Sequence, residues 1–463
     1  MRLAAVVMAL VLAGCASVPE IRADALPASP AAFKHGDGKW TVAAPAAAQA
    51  RGEWWKAFAD PVLDELIARA DKGNADLHVA AARLAQARAI ARITDADRAP
   101  QLGVDASAAR MGGTVNGSAG PARSFAAVGA SLSYELDLFG KLSRASEAAR
   151  LDARSREALL QSTRLLVQSQ VAQAYLALRA LDVERALVRS TVVAYQGTLD
   201  LTERRFRAGD VAELDVMRAR TEVAATESEA IALDRRRAEL EHALAVLVGE
   251  VPSSFVLPPG EWNTALPVIP AGVPSTVLAR RPDVAAAQDA MLAAQQRAGA
   301  AKAAWFPDLA LTATGGHASS ELSDLFRWSA RAWGIGALLS LPILDGGRRE
   351  AGVQNAAAQM DEALARFREQ VLVAFRDVED QLSALRLLAE QSQAQERAVA
   401  AASRTTSLSD VRYRNGLVSQ LDLLDARRSE LRNRRQALQV RSAQYQATVG
   451  LVRALGGAWD SST

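Results

Sequence analysis

Arg205-Phe206-Arg207-Ala208-Gly209-Asp210-Val211-Ala212-Glu213-Leu214-Asp215 is read once, and Arg412-Tyr413-Arg414-Asn415-Gly416-Leu417-Val418-Ser419-Gln420-Leu421-Asp422 is read as its second copy, 207 residues later. The same offset carries Asn74-Ala75-Asp76-Leu77 onto Arg281-Pro282-Asp283-Val284, Pro100 onto Pro307, Gly140-Lys141 onto Gly347-Arg348, and Gly249 onto Gly456. Two halves that keep register over this length describe an internal duplication. A duplicated unit builds a pseudo-symmetric object, and here that object reads as a tube.

On either side of the two turns lie long helical patterns. The first runs over Lys141–Arg207 and the second over Arg348–Arg414. At ~1.5 Å per residue each is on the order of 100 Å long, more than a globular domain can use. Val371, Phe375, Val378, Leu382 and Leu385 alternate by four and three, a coiled-coil seam. After the Gly416 turn, Leu424, Leu431, Leu438, Tyr445 and Val452 recur every seven, so the two helices are expected to zip as an antiparallel hairpin. The first half offers a paler seam of Met217, Ala224, Ile231, Ala238 and Ala245.

Ahead of each long helix stand two short alternating segments. Val128, Ala130, Leu132, Tyr134 and Leu136 share one face against Gly129, Ser131, Ser133 and Glu135; Trp333, Ile335, Ala337, Leu339 and Leu341 repeat the pattern. Leu102 with Val104, and Leu309 with Leu311, mark weaker partners. Period-two alternation predicts strands with one apolar and one polar face. A half-buried soluble sheet would read the same way; the flanking helices favour a membrane wall. Residues 111–124 and 315–329, rich in Gly and Ser, are expected to be the hairpin loops. A further helix is expected from Asp60-Pro61 to about Arg98, with Asp60 as its cap.

At the N-terminus, Met1-Arg2 precedes an apolar run over residues 3–12 and then Leu12-Ala13-Gly14-Cys15, a secretory signal with small residues at the cut. Its end resembles a bacterial lipobox. Cys15 would then carry a diacylglycerol and an N-terminal acyl chain, with no other cofactor. Ala16 and Ser17 follow rather than Asp, which by enterobacterial sorting rules points to the outer membrane. The expected division is 1–14 signal peptide, 15–58 lipidated strap, 59–250 first repeat, 251–274 linker, 275–457 second repeat and 458–463 tail. Within the repeats, strand hairpins fall at 100–138 and 307–344, and helical hairpins at 141–249 and 347–456. The linker holds six prolines.

Basic and acidic residues nearly cancel (54 against 52), which gives nucleic acid no field to follow. Four scattered histidines and one cysteine offer no metal spacing, and no nucleophile–base pair or phosphate loop is visible, so an enzyme is not expected. No later stretch has the ~18 apolar residues of a spanning helix, so any crossing must be made by strands. Four strands leave lipid-facing edges unpaired, and a closed barrel needs about eight. Copies of the chain would have to share one barrel.

The segments Glu53-Trp54-Trp55-Lys56-Ala57-Phe58-Ala59-Asp60-Pro61-Val62-Leu63, Tyr134-Glu135-Leu136-Asp137-Leu138-Phe139-Gly140-Lys141, Arg280-Arg281-Pro282-Asp283-Val284, Ala304-Trp305-Phe306-Pro307-Asp308-Leu309, Leu341-Pro342-Ile343-Leu344-Asp345-Gly346-Gly347-Arg348 and Arg412-Tyr413-Arg414-Asn415-Gly416 occur in this order. In these the chain resembles the TolC-like outer-membrane factors, specifically the NodT/OprM-type efflux lipoproteins. The resemblance implies a mixed α and β membrane protein: a homotrimer with a 12-stranded outer-membrane β-barrel, four strands per protomer, continued by a periplasmic α-helical barrel. It also implies a passive duct for drugs or other small molecules, gated at the periplasmic tip. The partners implied are a periplasmic membrane-fusion adaptor and, through it, an inner-membrane pump of the RND type.

By that resemblance the tips contact the adaptor through Arg207, Gly209, Arg414, Asn415 and Gly416. Gly209 and Gly416 also have a structural task, since glycine adopts φ > 0 cheaply at a helix end. Asp422 and Asp425 are implied as gate acids. Three copies would ring six carboxylates around a pore, favouring cations and raising some of their pKa values by mutual repulsion. Asp422 has a competing task in a capping box with Ser419, and Asp210-Val211-Ala212-Glu213 reads as the matching box of the first half. The repeat partner of Asp425 is Arg218, so the fold itself does not require an acid there. The second hairpin, which alone carries both acids, would swing outward on opening. Competing functions are the duct of a type I protein secretion system and, from another class, a lipid-anchored periplasmic coiled-coil scaffold. The lipobox favours efflux, and the strand pairs oppose the scaffold. Six unclustered methionines speak against a copper or silver route.

Overall fold

The computed structural model describes residues 30, 32–35, 52–115, 118–269, 277–278 and 280–457. The signal peptide, Cys15, most of the strap, residues 270–276 and the tail at 458–463 lie outside them. The elements in order are α1 (Pro61–Gly73), α2 (Ala75–Ala96), β1 (Gln101–Val115), β2 (Ser118–Leu136), α3 (Lys141–Arg207), α4 (Glu213–Leu247), α5 (Pro282–Ala303), β3 (Asp308–Ser319), β4 (Arg331–Ser340), α6 (Arg348–Arg414) and α7 (Gln420–Ala454). The pairs α2/α5, α3/α6 and α4/α7 have equal lengths of 22, 67 and 35 residues. Each pair starts and ends 207 positions apart.

The duplication extends to individual contacts. Asn74 donates through Nδ2 to the carbonyl of Leu247 at 2.8 Å, and its counterpart Arg281 donates to the carbonyl of Ala454 at 3.3 Å. Gly249 and Gly456 both hold positive φ. A Cβ on either would run into the carbonyl oxygen of Gly73 or Arg280, at 2.1 and 2.9 Å. Those two residues are again 207 apart.

Two compact units result. One gathers Ala82–Ala158 with Ala285–Gln370 and holds the sheet and the starts of α3 and α6; the other lies within Ala28–Ala81, Leu159–Val284 and Val371–Thr463 and holds the rest of the helical hairpins. The core of the second unit begins at a short 3-10 turn, Trp54–Phe58, whose three aromatic rings are buried. Phe58, Leu63, Leu66 and Ile67 pack with Val171, Tyr175 and Leu176 of α3 and Tyr445, Val449 and Val452 of α7. Each such side chain stabilises the fold by roughly 1.5–3 kcal/mol when fully buried. Asp60 caps α1 by accepting from the N–H groups of Val62 and Leu63, and Pro61 stands at the first helical position. The other oxygen of Asp60 accepts from Tyr175 at 2.8 Å and Thr264 at 2.7 Å. Burial pushes the Tyr175 phenol up to about 12. The linker is extended but not loose, because Phe255, Leu257 and Trp262 enter the same core.

Four expectations need correction. The helix from Asp60 is two helices, because Asn74 leaves the helical region (ψ 127°) and its side-chain oxygen accepts from the N–H groups of Asp76 and Leu77 to start α2. The stretches 111–124 and 315–329 are not simply loops. β1 and β2 pair through to Val115 and Ser118, and β3 continues to Ser319. Glycine there marks close strand approach rather than a turn: a Cβ on Gly316 would meet the Val128 carbonyl oxygen at 2.3 Å. The seam of α4 is also displaced. Of its expected members only Ala245 is buried; Met217, Ala224 and Ile231 are exposed, while Val216, Ala219, Val223, Thr226, Leu233, Arg237 and Leu244 are buried at steps of three, four and seven. Finally, Asp210-Val211-Ala212-Glu213 does not cap α4; the N-cap is Ala212, which has no side-chain oxygen to offer.

Candidate channel wall and gate

The sheet runs β1-β2-β3-β4, antiparallel throughout. Its register places Leu102 opposite Leu132, Leu132 opposite Ala313 and Ala313 opposite Ile335. Residues directly opposite share a face, so the alternation in each strand merges into one apolar surface. That surface is open: Leu102 and Val104 on β1 are 74% and 78% exposed, and Trp333 and Ile335 on β4 are 80% and 82% exposed. The reverse face carries Gly103, Asp105, Ser131, Ser133, Thr312, Thr314, Gly334 and Gly336, with Met111, Phe125 and Leu338 as its larger apolar members. On it Ser131 donates to Asp105 at 2.7 Å. The outer edges of β1 and β4 have no partner strand among the described residues. No described helix is long and apolar enough to cross a membrane.

At the far ends of α3 and α6 the chain reverses through Gly209 (φ 84°) and Gly416 (φ 71°). Both turns close the same way. Gly209 N–H donates to Phe206 O at 3.0 Å and Asp210 N–H to Arg205 O at 2.9 Å; Gly416 and Leu417 repeat this on Tyr413 and Arg412 at 3.0 and 2.8 Å. This double bond pattern satisfies the last helix carbonyls and requires a left-handed residue, which glycine supplies without strain. Arg207 is exposed, Arg414 pairs with Asp410 at 2.8 Å, and Asn415 folds back onto the Val411 carbonyl at 2.9 Å.

Asp422 caps α7. Its carboxylate accepts from the Ser419 N–H at 3.0 Å and hydroxyl at 2.6 Å, while Ser419 Oγ accepts from the Asp422 N–H. The Ser419 hydroxyl, then its N–H, hold this carboxyl below the usual range. Within one chain this is opposite in sign to the upward shift expected from repulsion, which only neighbouring copies could supply. Asp425 lies one turn on, its side chain 60% exposed, 3.3 Å from Arg428. Both acids are exposed, and Leu423 and Leu424 between them are buried.

A set of residues missed in the sequence joins the two hairpins. Arg205 lies 4.7 Å over the Tyr413 ring and donates to the carbonyls of Tyr413 and Arg414. Tyr413 and Thr202 share a hydrogen bond at 3.2 Å; Thr202 already donates to Thr198 O, so the phenol is the donor. Arg427 donates to Ala194 O at 2.8 Å, to the Thr198 hydroxyl, and to Asp410 at 2.9 Å. Further along, Arg428 pairs with Glu222, and Arg435 with Glu184 at 2.8 Å and with Glu229. The bond to Glu222 pushes Arg428 further up. The signal was present as two opposite-charge pairs at heptad spacing, Glu222/Glu229 on α4 and Arg428/Arg435 on α7, but only the fold shows that they face each other.

A sheet with an open apolar face and two open edges, followed by duplicated helical hairpins, defines a class: an outer-membrane channel component. A family model described as outer membrane efflux protein matches residues 66–250 and again 273–457. The chain belongs to the outer membrane efflux protein family. It is 31% identical to the cation efflux system protein CusC of Escherichia coli O6:H1 over 98% of this chain and 97% of that protein. It is 33% identical to the antibiotic efflux pump outer membrane protein ArpC of Pseudomonas putida, covering 99% and 95%. Among solved structures, the outer-membrane channel OprN superposes with a TM-score of 0.88 at 30% identity, over 96% of this chain and all of that one. The protein is therefore an efflux channel component of the outer membrane.

Proposed function

We propose that three copies of this chain close their sheets into one 12-stranded barrel in the outer membrane. The helical hairpins continue it as a periplasmic tube, and the whole is a passive duct for drugs or other small molecules. The single observation that carries this reading is the open sheet, whose exposed apolar face and two unpaired edges would be untenable in lipid unless neighbouring copies pair them. The Gly, Ser, Thr and Asp face then lines the lumen. A diacylglycerol and acyl chain on Cys15 anchor the mature N-terminus. A membrane-fusion adaptor grips the tips at Arg207, Gly209, Arg414, Asn415 and Gly416, and an RND-type inner-membrane pump delivers cargo through it. Asp422 and Asp425 form the gate, and the second hairpin swings outward on opening. The ties from Tyr413, Arg427, Arg428 and Arg435 to the first hairpin are what that motion would loosen.

Single-channel conductance in planar bilayers tests the reading, with the purified lipoprotein beside an Asp422→Asn/Asp425→Asn variant. Small cation-selective steps are expected, growing and losing selectivity in the variant. Identical steps in both would remove the acids from the gate. No conductance from folded, inserted protein would overturn the duct.

A further inference from the structure

The apolar face of the sheet is not uniform along its length. Its members are Leu102, Val104, Ala106, Ala108 and Arg110 on β1 and Arg331, Trp333, Ile335, Ala337 and Leu339 on β4, with Ser124 to Leu136 on β2 and Leu309 to Ser319 on β3 between them at alternate positions. Up to the register shift beyond Met111, no Asp or Glu stands on it; the strand acids Asp105, Glu135 and Asp308 are all on the reverse face. Its two arginines lie toward the end remote from the helices on staggered rungs, Arg331 being in register with His317, Val128 and Ala106, four residues short of Arg110. Arg110 stands eight residues from Leu102 and Arg331 eight from Leu339, about 26 Å of strand in each case at ~3.3 Å per residue. That is close to the ~25 Å of an outer-membrane apolar band.

We infer that this rim binds the phosphate groups of a membrane glycolipid through Arg110 and Arg331, an inference that rests on the barrel reading above. Charge complementarity names the occupant. Arg110 makes no ion pair among the described residues. Arg331 donates its Nε to the Trp328 carbonyl at 3.2 Å and lies over the Trp328 ring, which fixes the guanidinium while leaving its terminal nitrogens without a carboxylate. His317 shares a rung with Arg331, and its buried Nδ1 has no partner. The β3–β4 connection is built rather than slack. It holds two 3-10 turns, buries Leu325, sets Phe326 beside the His317 ring at 6.0 Å, and leaves Leu322, Phe326 and Trp328 about three-quarters exposed, each at 75–76%. Exposed aromatics beside Arg331 at the end of an apolar band suit an acyl chain below and a phosphate above. The loop's acids, Glu321 and Asp324, stand off the strand face, and Asp324 is taken by Arg327 at 3.2 Å.

Native mass spectrometry of the full-length, detergent-solubilised protein tests this. The probes are bisphosphorylated lipid A, the same lipid dephosphorylated, and inorganic phosphate as competitor. Wild type should retain the phosphorylated lipid, and Arg110→Ala and Arg331→Ala should each lower the bound fraction about fivefold, the order expected for one cation at a lipid surface. Arg331→Lys should restore most of it. Equal retention of both lipids by wild type, displacement by free phosphate, or undiminished retention by an R110A/R331A variant of unchanged mass and conductance would each overturn the assignment. A wild type that forms neither trimer nor conducting pore would instead sink the barrel reading, and this inference with it.

Discussion

α4 and α7 are the same helix written twice, equal in length and 207 residues apart, yet they bury different side chains. α4 buries the stripe Val216 to Leu244, adds Ala245 at its end, and leaves Met217 and Ile231 in solvent. α7 buries the matching positions Leu423, Ala426, Val440 and Leu451 and adds Leu424, Tyr445 and Val449, whose counterparts Met217, Ala238 and His242 are not buried. The duplication therefore fixes backbone geometry, and the halves diverge in what they pack and what charge they carry. Among the described residues, α7 is covered on a second side from Leu424 to Val452, and α4 there only at Ala245.

The sharpest difference lies at Arg237 and its counterpart Gln444. Arg237 is buried and donates to Asp182 at 2.8 Å, to Glu241 at 2.8 Å and to the Leu257 carbonyl. Asp182, itself buried, also receives Arg179 and Arg185, each at 3.3 Å. Among the described residues the Gln444 side chain makes one bond, to Leu388 O at 3.3 Å. Removing one partner from a buried charge cluster costs about 3–5 kcal/mol, against about 1 kcal/mol for a neutral bond. Arg237→Ala should accordingly shift chemical unfolding far more than Gln444→Ala. Equal shifts would mean that the cluster is solvated.

The next difference is the cross-hairpin charge. Arg428 and Arg435 bind across to the first hairpin, whereas their counterparts Thr221 and Ser228 reach no second hairpin among the described residues; Thr221 donates within its own helix, to Met217 O. These arginines are partly exposed, so each pair contributes about 1 kcal/mol. Arg428→Ala/Arg435→Ala should enlarge single-channel steps, and Thr221→Ala/Ser228→Ala should leave them alone. A closed-size step in the arginine variant would place the restraint elsewhere.

The turns should show sameness. Gly209 and Gly416 both hold positive φ, and neither has any heavy atom within 4 Å of an added Cβ, so alanine would bring backbone strain alone. About 1 kcal/mol is expected for each, in equal measure by unfolding.

What the sequence made legible follows the same division. Backbone devices left local marks: Gly209 and Gly416, Asp60-Pro61, Ser419 with Asp422, and the two 67-residue helices read directly because each needs only neighbouring residues. The seam of α4 did not. Its expected members are the counterparts of the α7 seam 207 positions back, and carrying that face onto α4 lands one position off, because α4 buries Val216, Val223, Arg237 and Leu244 beside them. The gate-side ties were also hidden, since Arg427 reaching Thr198 spans 229 residues of chain. Glycine misled in the strands, where Gly113, Gly315 and Gly316 read as turn and act in pairing.

The smallest expected effect concerns the caps. Ser419 gives α7 a reciprocal box, and Ala212 gives α4 none. Ser419→Ala should cost roughly 0.5–1 kcal/mol, and Ala212→Ser should return a few tenths, since Asp215 already stands where Asp422 does. Hydrogen exchange at the first amides of each helix reads both. The Asp422 carboxyl adds a pH signature. Its folded pKa is depressed by Ser419, so its contribution is present above the unfolded value of about 3.9 and is lost as pH falls through the lower folded value. Protection at the start of α7, corrected for intrinsic rates, should then stay level from about pH 7 to 5 and fall only below the ordinary aspartate range. In α4, which lacks the box, this step should be missing. A loss of α7 protection already near pH 6 would mean that neighbouring carboxylates dominate Asp422, as a crowded ring of acids would require.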